Sequence, residues 1–213
     1  MSISRKPLRT EVTEEVLRRV VMGAIPVGVT INEAQLADSL GISRTPLREA
    51  LLGLEKDGLL ESRQHKGFRV APLTIQTVQE VYPIVCALET LAIESTSKNY
   101  WSSVEEELNH INGEFKRAAD PWLAQGLDDR WHRLLAEGCG NTRLLDLLAG
   151  LKRVVHRYEY AYMTNEQTVP ISATEHDDIL LLLIAGDLGR ATKALRGNWY
   201  RGIELLTNWL QRS

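Results

Sequence analysis

The chain is poor in the residues that mark secreted, disulfide-rich and membrane proteins. Its 213 residues include two cysteines, Cys86 and Cys139, whose separation fits no metal-ligand spacing and argues against a disulfide-stabilised scaffold. No segment approaches the roughly 20 apolar residues of a membrane-spanning helix, and the first residues lack the apolar core of a secretory signal. The sequence therefore predicts a cytoplasmic protein with reduced thiols and no membrane contact.

Aromatic residues and net charge are also low. Aromatics make up 6% of the chain, and the formal net charge is −3, so the whole chain has no excess of positive charge for a polyanion. The charge is uneven, because residues 1–73 carry eleven Lys and Arg against nine Asp and Glu, whereas residues 74–213 carry fourteen against nineteen. The N-terminal part is the better candidate for contact with nucleic acid, and the acidic remainder is expected to lie away from it.

The clearest functional pattern lies in residues 41–60, which read GISRTPLREALLGLEKDGLL. Ser43 suits the N-cap of a helix, Pro46 suits its first turn, and Gly58 suits the position just past its end. Between these limits, apolar residues recur at helical spacing at Leu47, Leu51 and Leu54. The pattern predicts an amphipathic helix that buries its leucine face.

The opposite face of this helix carries Arg44, Thr45 and Arg48 in its first two turns. Arginine offers a bidentate donor fork to guanine in the major groove, and the N-terminus of a helix attracts phosphate. These three side chains are therefore candidates for contact with DNA.

The segments on either side complete a winged helix-turn-helix. Residues 31–40 predict a shorter helix, and Gly41-Ile42 provides the tight turn that leads into the recognition helix. Residues 59–72 predict two short strands around a turn at His65, Lys66 and Gly67. This hairpin is the wing, whose tip is expected to lie on the minor groove or on the DNA backbone.

From Val20 to Val70 the sequence resembles the winged-helix domain of the GntR family of bacterial transcription regulators. The resemblance is carried by SRTPLREAL at residues 43–51, by DGL at 57–59 and by GFRV at 67–70. It implies that DNA is contacted by residues of the recognition helix and the wing, namely Arg44, Thr45, Arg48, His65, Lys66 and Gly67. This chain departs from one relative with known DNA contacts, which has an arginine where this chain has Ala34.

The pattern is helical from residue 74 almost to the end of the chain, which predicts a domain boundary between residues 73 and 74. Capping residues predict helix starts at six places: Thr74 or Thr77, Ser102 or Ser103, Asp120, Asn141 or Thr142, Pro170 or Ser172, and Asp187. Six helices without strands form an antiparallel bundle. The predicted fold class is mainly α, with a winged helix-turn-helix in residues 1–73 and a six-helix bundle in residues 74–213.

This second part resembles the FCD-type ligand-binding domain, which follows the winged helix in the FadR-like branch of the GntR family. The matching residues are Leu88-Glu89, Asp128, Trp131-His132, Gly140-Asn141, Glu175-His176 and Gly186-Asp187. The resemblance implies an effector-binding and dimerisation domain in which one aspartate and three histidines hold a divalent metal. Three of those positions are Asp128, His132 and His176 here, whereas the fourth is Asn198.

Asn198 changes what this site is expected to bind, because a neutral amide oxygen is a poorer zinc ligand than imidazole. Asp128, His132 and His176 still form a two-histidine, one-carboxylate set, which suits octahedral metals with open positions. The sequence leaves three interpretations open. They are a divalent zinc, nickel, manganese or iron ion, a metal-free hydrogen-bonded Asp–His pair, and a metal-free pocket with Asn198 in its wall.

The patterns together predict a sequence-specific DNA-binding transcription regulator, a metabolite-responsive repressor that acts as a homodimer on near-palindromic operator DNA. The expected effector is a small carboxylic acid, for which the candidate binding residues are Arg153, Arg157 and Asn198. Two alternatives are a metal-dependent enzyme with a fused DNA-binding domain and an architectural DNA-binding protein without an effector. No enzyme activity is predicted, because the chain lacks nucleophile-elbow, phosphate-loop and metalloprotease motifs.

Overall fold

The computed structural model describes residues 7–63, 67–164 and 167–212. The chain divides into two compact units, Met1–Pro72 and Leu73–Ser213. The first unit contains α1 (Leu8–Val21), α2 (Glu33–Leu40), α3 (Arg44–Lys56), β1 (Leu60–Arg63) and β2 (Gly67–Val70). The second unit contains α4 (Ile75–Glu94), α5 (Lys98–Arg117), α6 (Pro121–Glu137), α7 (Thr142–Met163), α8 (Thr168–Ala185) and α9 (Leu188–Leu210).

Helix α3 is the predicted amphipathic helix, and its apolar face forms the centre of the first unit. Leu47, Leu51 and Leu54 are completely buried, and α3 packs against α1 and α2. Gly41 ends α2 in the left-handed conformation, with φ of 65°, which is the conformation that glycine adopts without strain. Ser43 occupies the N-cap position of α3, but its side chain makes no capping hydrogen bond to the described helix, so this predicted bond is absent.

The wing is an antiparallel pair in which Leu60 lies opposite Val70 and Arg63 lies opposite Gly67. The segment before α2 anchors the pair, because the N–H of Ile31 donates to the carbonyl of Phe68 at 2.7 Å. Buried side chains of both strands close the unit on this side. The predicted winged helix-turn-helix is confirmed.

The second unit is a bundle of six helices in its described residues, as the sequence predicted. Its core is built on large side chains that are fully buried, including Phe115, Trp131, Leu135 and Ile179. Helix α4 lies against α9, α7 and α6, while α8 lies against α5 and α9. None of the described helices combines the length and the apolar character that crossing a membrane requires.

Two helix starts differ from the prediction: α5 begins at Lys98 rather than at Ser102 or Ser103, and α8 begins at Thr168 rather than at Pro170 or Ser172. Helix α4 ends at Glu94. The hydroxyls of Ser95 and Thr96 donate to the carbonyls of Leu91 and Ala92, both at 2.8 Å. Such side-chain bonds satisfy the last carbonyl groups of a helix and compete with its continuation. The polar pair therefore ends α4 where periodicity alone predicts no break.

Polar and charged residues are buried inside this bundle, and they mark the position of a candidate functional site. The ionisable ones include Glu89 on α4, Asp128 and His132 on α6, Lys152, Arg157 and Glu159 on α7, and His176 on α8. Burying ionised groups is costly unless they are paired or bind a metal. So many of them in one small bundle indicates a functional site rather than core packing.

Candidate DNA-binding surface and metal site

Arg44, Thr45 and Arg48 are all exposed on the first turns of α3, because the buried Leu47 and Ala50 turn the opposite face inward. The three side chains line an open groove of about 650 Å³, whose other walls come from α2 and from Gly67 of the wing. The structure thus brings together four of the six predicted DNA-contacting residues. The remaining two, His65 and Lys66, lie outside the described residues.

Arg48 is held in this groove by contacts that the sequence analysis missed. Both carboxylate oxygens of Glu33 lie 3.1 Å from Nη1 of Arg48, and the guanidinium lies 5.9 Å from the centre of the Phe68 ring. The side chain of Arg48 is nevertheless 62% exposed, whereas that of Glu33 is 19% exposed. Glu33 therefore orients an arginine whose surface still faces solvent, which lowers the entropy cost of placing it against a base.

Gly67 opens the second strand of the wing with φ of 77°, a left-handed conformation that side chains other than glycine rarely adopt. A Cβ atom there would meet Ile31 and Thr30 at ordinary contact distances of 3.8 Å. The requirement for glycine is thus conformational rather than one of space. Ala34, at the position of the missing arginine, lines the same groove.

In the bundle, three predicted metal ligands converge. Asp128 and His132 lie one turn apart on α6, His176 comes from α8, and one ligand atom from each lies within 4.8 Å of the others. Nε2 of His176 is 3.5 Å from Oδ1 of Asp128, and Nε2 of His132 is 3.9 Å from Oδ2. Both distances are longer than ordinary hydrogen bonds. They are close to the roughly 3–3.5 Å that separates two ligand atoms bound to the same ion, each at about 2.1 Å from it.

Each histidine is oriented through its other ring nitrogen. Nδ1 of His132 donates to Oε2 of Glu89 at 2.9 Å, and Nδ1 of His176 donates to Oδ1 of Asn112 at 3.0 Å. The amide of Asn112 is itself fixed, because its nitrogen donates to the carbonyl of Ala173 and to Asp177. This arrangement is typical of metal-ligating histidines, since it fixes ring orientation and turns Nε2 toward the ion.

Nε2 of His176 is the atom that fits a metal best. It is buried and has no hydrogen-bond partner among the described residues. The ring is completely buried and stacks on Trp131 with a centroid distance of 3.9 Å and an interplanar angle of 7°. A rigid imidazole with an unpaired buried nitrogen is expected to hold a ligand, because an unsatisfied buried polar atom is otherwise costly.

Burial and neighbouring charges shift the pKa values of the three groups in different directions. Burial raises the pKa of Asp128 to about 6. Burial works against the charged form of His132, yet the negative charge of Glu89 leaves its pKa raised. Burial, together with the charge of His132, holds the pKa of His176 well below its usual value. In the absence of metal, Asp128 and His132 therefore bind protons more tightly than usual, whereas His176 binds one less tightly.

Lys152 is a second contributor that sequence reasoning missed. Its ammonium is buried and lies 3.7–3.9 Å from carboxylates of Glu89, Asp129 and Glu159 and 4.7 Å from the ring of Trp199. Burial opposes its charge, but the carboxylates together raise its pKa. A lone lysine in a helix gives no sequence signal of burial. Here it balances part of the negative charge around the site, and it helps to keep Glu89 ionised as the acceptor for His132.

The predicted effector residues are only partly brought to this site. Asn198 lines a small cavity of about 30 Å³ together with Asp128 and His132, and its amide nitrogen donates to Glu175 at 2.8 Å. The described lining of this cavity does not include Arg153 or Arg157, both on α7. The lining does include an arginine that the sequence analysis did not select, Arg201 on α9.

Replacing Glu89 with glutamine tests the orienting contact to His132. We expect Glu89→Gln to lower metal affinity about 10- to 100-fold, because a neutral amide accepts the Nδ1–H bond more weakly. Competition against a chromophoric chelator measures the affinity. Glu94→Gln, at the exposed end of α4, is the matched control. Equal metal affinity in the Glu89 and Glu94 variants would contradict a role for Glu89 in positioning the ligand.

Comparison with known proteins agrees with both parts of the fold. Residues 8–70 match the family described as bacterial regulatory proteins, gntR family, and residues 80–198 match the FCD domain. A probable D-xylose utilization operon transcriptional repressor from Paenarthrobacter nicotinovorans is 31% identical over 201 residues, which cover 91% of this chain and 86% of that protein. The uncharacterized HTH-type transcriptional regulator YdhC of Bacillus subtilis is 29% identical over 174 residues, which cover 80% and 78%.

A solved structure gives the same fold at lower identity. McbR/YncC of E. coli superposes with a TM-score of 0.77 at 19% identity, over 98% of this chain and all of that one. An exposed recognition helix with a wing, joined to a helical bundle, defines a DNA-binding transcription regulator. The chain belongs to the GntR family and carries its FCD domain. Because the family consists of transcription regulators, the chain is not an enzyme, and the alternative of a metal-dependent enzyme is set aside.

Proposed function

We propose that the protein is a homodimeric repressor that binds operator DNA through α3 and the wing and responds to a small organic acid bound in the bundle beside a divalent metal. Two copies of the winged helix would read the two halves of a near-palindromic operator. The protein acts in the cytoplasm, where its operator is. A repressor is favoured because the relative from Paenarthrobacter nicotinovorans is named as one.

The observation that carries the metal proposal is the convergence of Asp128, His132 and His176 with both Nδ1 atoms already engaged. A bound dication would neutralise Asp128 and offer positions to oxygen atoms of an effector. Two imidazoles and a carboxylate leave positions open, and Asn198 adds an amide oxygen at best. This donor set favours manganese, iron or nickel over tetrahedral zinc.

The acid proposal rests on the arginine in the cavity wall. Arg201 is the residue of this wall whose donors match a carboxylate in a two-point contact. The effector would change the affinity of the dimer for DNA only if the effector binds two conformations of the dimer with unequal affinity. A change in the spacing of the two winged helices is the conformational difference that a palindromic operator would detect.

Metal binding is tested by elemental analysis of the purified protein and by titration with manganese, nickel and zinc. We expect one ion per chain and an affinity that falls as the pH is lowered toward 6, because metal must displace protons from Asp128 and His132. Calorimetry in buffers of different ionisation enthalpy would count the released protons. A protein that is purified without metal and binds none of the three ions would refute the metal site.

A further inference from the structure

Arg201 on α9 forms a forked ion pair with Glu175 on α8 at the edge of the metal-site cavity. Nε of Arg201 donates to Oε1 of Glu175 at 2.7 Å, and Nη2 contacts Oε2. Nη2 also donates to the hydroxyl of Ser172 at 3.0 Å. The two charged side chains are 21% and 27% exposed. Arg201 thus already holds a carboxylate in the bidentate geometry that it would offer to an organic acid.

The cavity beside this pair is too small for an effector as it stands. Its volume of about 30 Å³ is far below the roughly 300–1,000 Å³ of ligand pockets. An acid can enter only if a group in or behind the wall gives way. Tyr82 and Trp199 are packed edge-to-face in the core at 5.7 Å, and Asp128 and His132 belong to the proposed metal site.

Glu175 is the group whose displacement an acid can compensate. An incoming carboxylate would remake both hydrogen bonds to Arg201 and the bond from Asn198, so the guanidinium would never be left unpaired. Leaving a charged group without its partner in a protein interior costs several kcal/mol. The exchange of one carboxylate for another avoids that cost.

We propose that Arg201 is the residue that receives the carboxylate of the effector, and that Glu175 occupies this position until the effector displaces it. The inference rests on the proposed acid-responsive function and assigns its binding residue. Glu175 immediately precedes His176 on α8, so its release acts next to a metal ligand. It also removes a link between α8 and α9, which gives the bundle two states that an effector can bind unequally.

The test replaces Glu175 with alanine in the full-length protein and supplies acetate as a free carboxylate. Glu175→Ala is expected to lower the melting temperature, and acetate should restore it saturably. The expected gain is about 3–6 °C at ten times the dissociation constant of acetate. Sodium chloride at equal ionic strength and uncharged acetamide should give no such gain. Wild-type protein should respond less to acetate, because its own Glu175 competes for Arg201.

Two further variants make the result specific to Arg201. The double variant Glu175→Ala, Arg201→Gln should lose the acetate response. Glu107→Ala is the control, because it breaks another Arg–Glu ion pair, between Glu107 and Arg130. That pair is 2.7 Å long and its side chains are about half exposed. Acetate should not raise the melting temperature of this variant. Glu175→Gln retains the shape of the side chain and replaces the alanine variant if that variant does not fold.

The outcomes separate this inference from the proposed function. An acetate response in the Glu175 variants that requires Arg201 supports it. Absence of a response in both Glu175 variants, or a response that persists without Arg201, overturns it. A wild-type protein whose operator binding ignores every organic acid would instead contradict the acid-responsive function, whatever the acetate experiment shows.

Discussion

Arg48→Ala is expected to weaken operator binding by about 1–3 kcal/mol per half-site, or roughly 5- to 150-fold, if Arg48 reads a base. The operator is first obtained by selection of bound sequences from random duplex DNA, and affinities are then measured by fluorescence anisotropy. The loss should fall on one base position in each half-site. It should be smaller on unrelated duplex DNA, where only the charge of the arginine is missed.

Lys56→Ala supplies the matched control, because Lys56 is exposed in the last turn of the same helix. Both variants remove one positive charge from α3, so a general loss of attraction to phosphate should affect them alike. Base reading should affect only the Arg48 variant. Unchanged operator affinity of Arg48→Ala, or equal effects of the two variants on every sequence, would refute a base-reading role for Arg48.

The geometry around Arg48 also shows what the sequence of the winged helix can predict. The leucine spacing of α3 and the glycine after α2 predict the helix-turn-helix because they are local patterns that the packing then follows. The contact between Arg48 and Glu33 joins residues 15 positions apart, and it depends on how α2 and α3 cross. The sequence pattern alone does not predict how the two helices cross, so it does not identify Glu33 as a partner of Arg48.

In the bundle, too, local sequence patterns predict only part of the candidate site. The spacing of Asp128 and His132 predicts a shared face of α6, while the addition of His176 rests on family resemblance. The orienting contacts come from residues distant in sequence: Glu89 lies 43 positions from His132, and Asn112 lies 64 positions from His176. Such partners become visible only after the helices are packed.

Asp128→Asn is expected to lower metal affinity about 100- to 1,000-fold, taking one ligand as a quarter of the roughly 10–16 kcal/mol of a four-ligand site. The same change should stabilise the metal-free protein. Burial raises the pKa of Asp128 from 3.8 to about 6, so the folded state binds this proton more tightly than the unfolded chain does. Metal-free stability therefore falls as the pH rises from about 4 to 6, and at pH 7 the ionised carboxylate costs about 3 kcal/mol.

Asp129→Asn is a control that is expected to change the stability of the metal-free protein in the opposite direction. Burial also disfavours the charge of Asp129, but the close contact with His156 at 3.3 Å and the charge of Lys152 leave its pKa lowered. Its ionised form therefore stabilises the fold at pH 7, and its removal should destabilise the metal-free protein. Because Asp129 is not among the three convergent ligands, metal affinity should change far less than in Asp128→Asn.

The decisive measurement is the order of melting temperatures with and without metal. Without metal at pH 7, the order should be Asp128→Asn above wild type and wild type above Asp129→Asn. With metal at about 1,000 times its dissociation constant for wild type, wild type gains about 4 kcal/mol by mass action, whereas the more weakly binding Asp128→Asn gains about 0.4–1.4 kcal/mol. The advantage of Asp128→Asn over wild type should therefore fall from about 3 kcal/mol to about zero or reverse. A purely structural Asp128, hydrogen-bonded and metal-free, would leave that advantage unchanged, because removing its charge would act equally under both conditions.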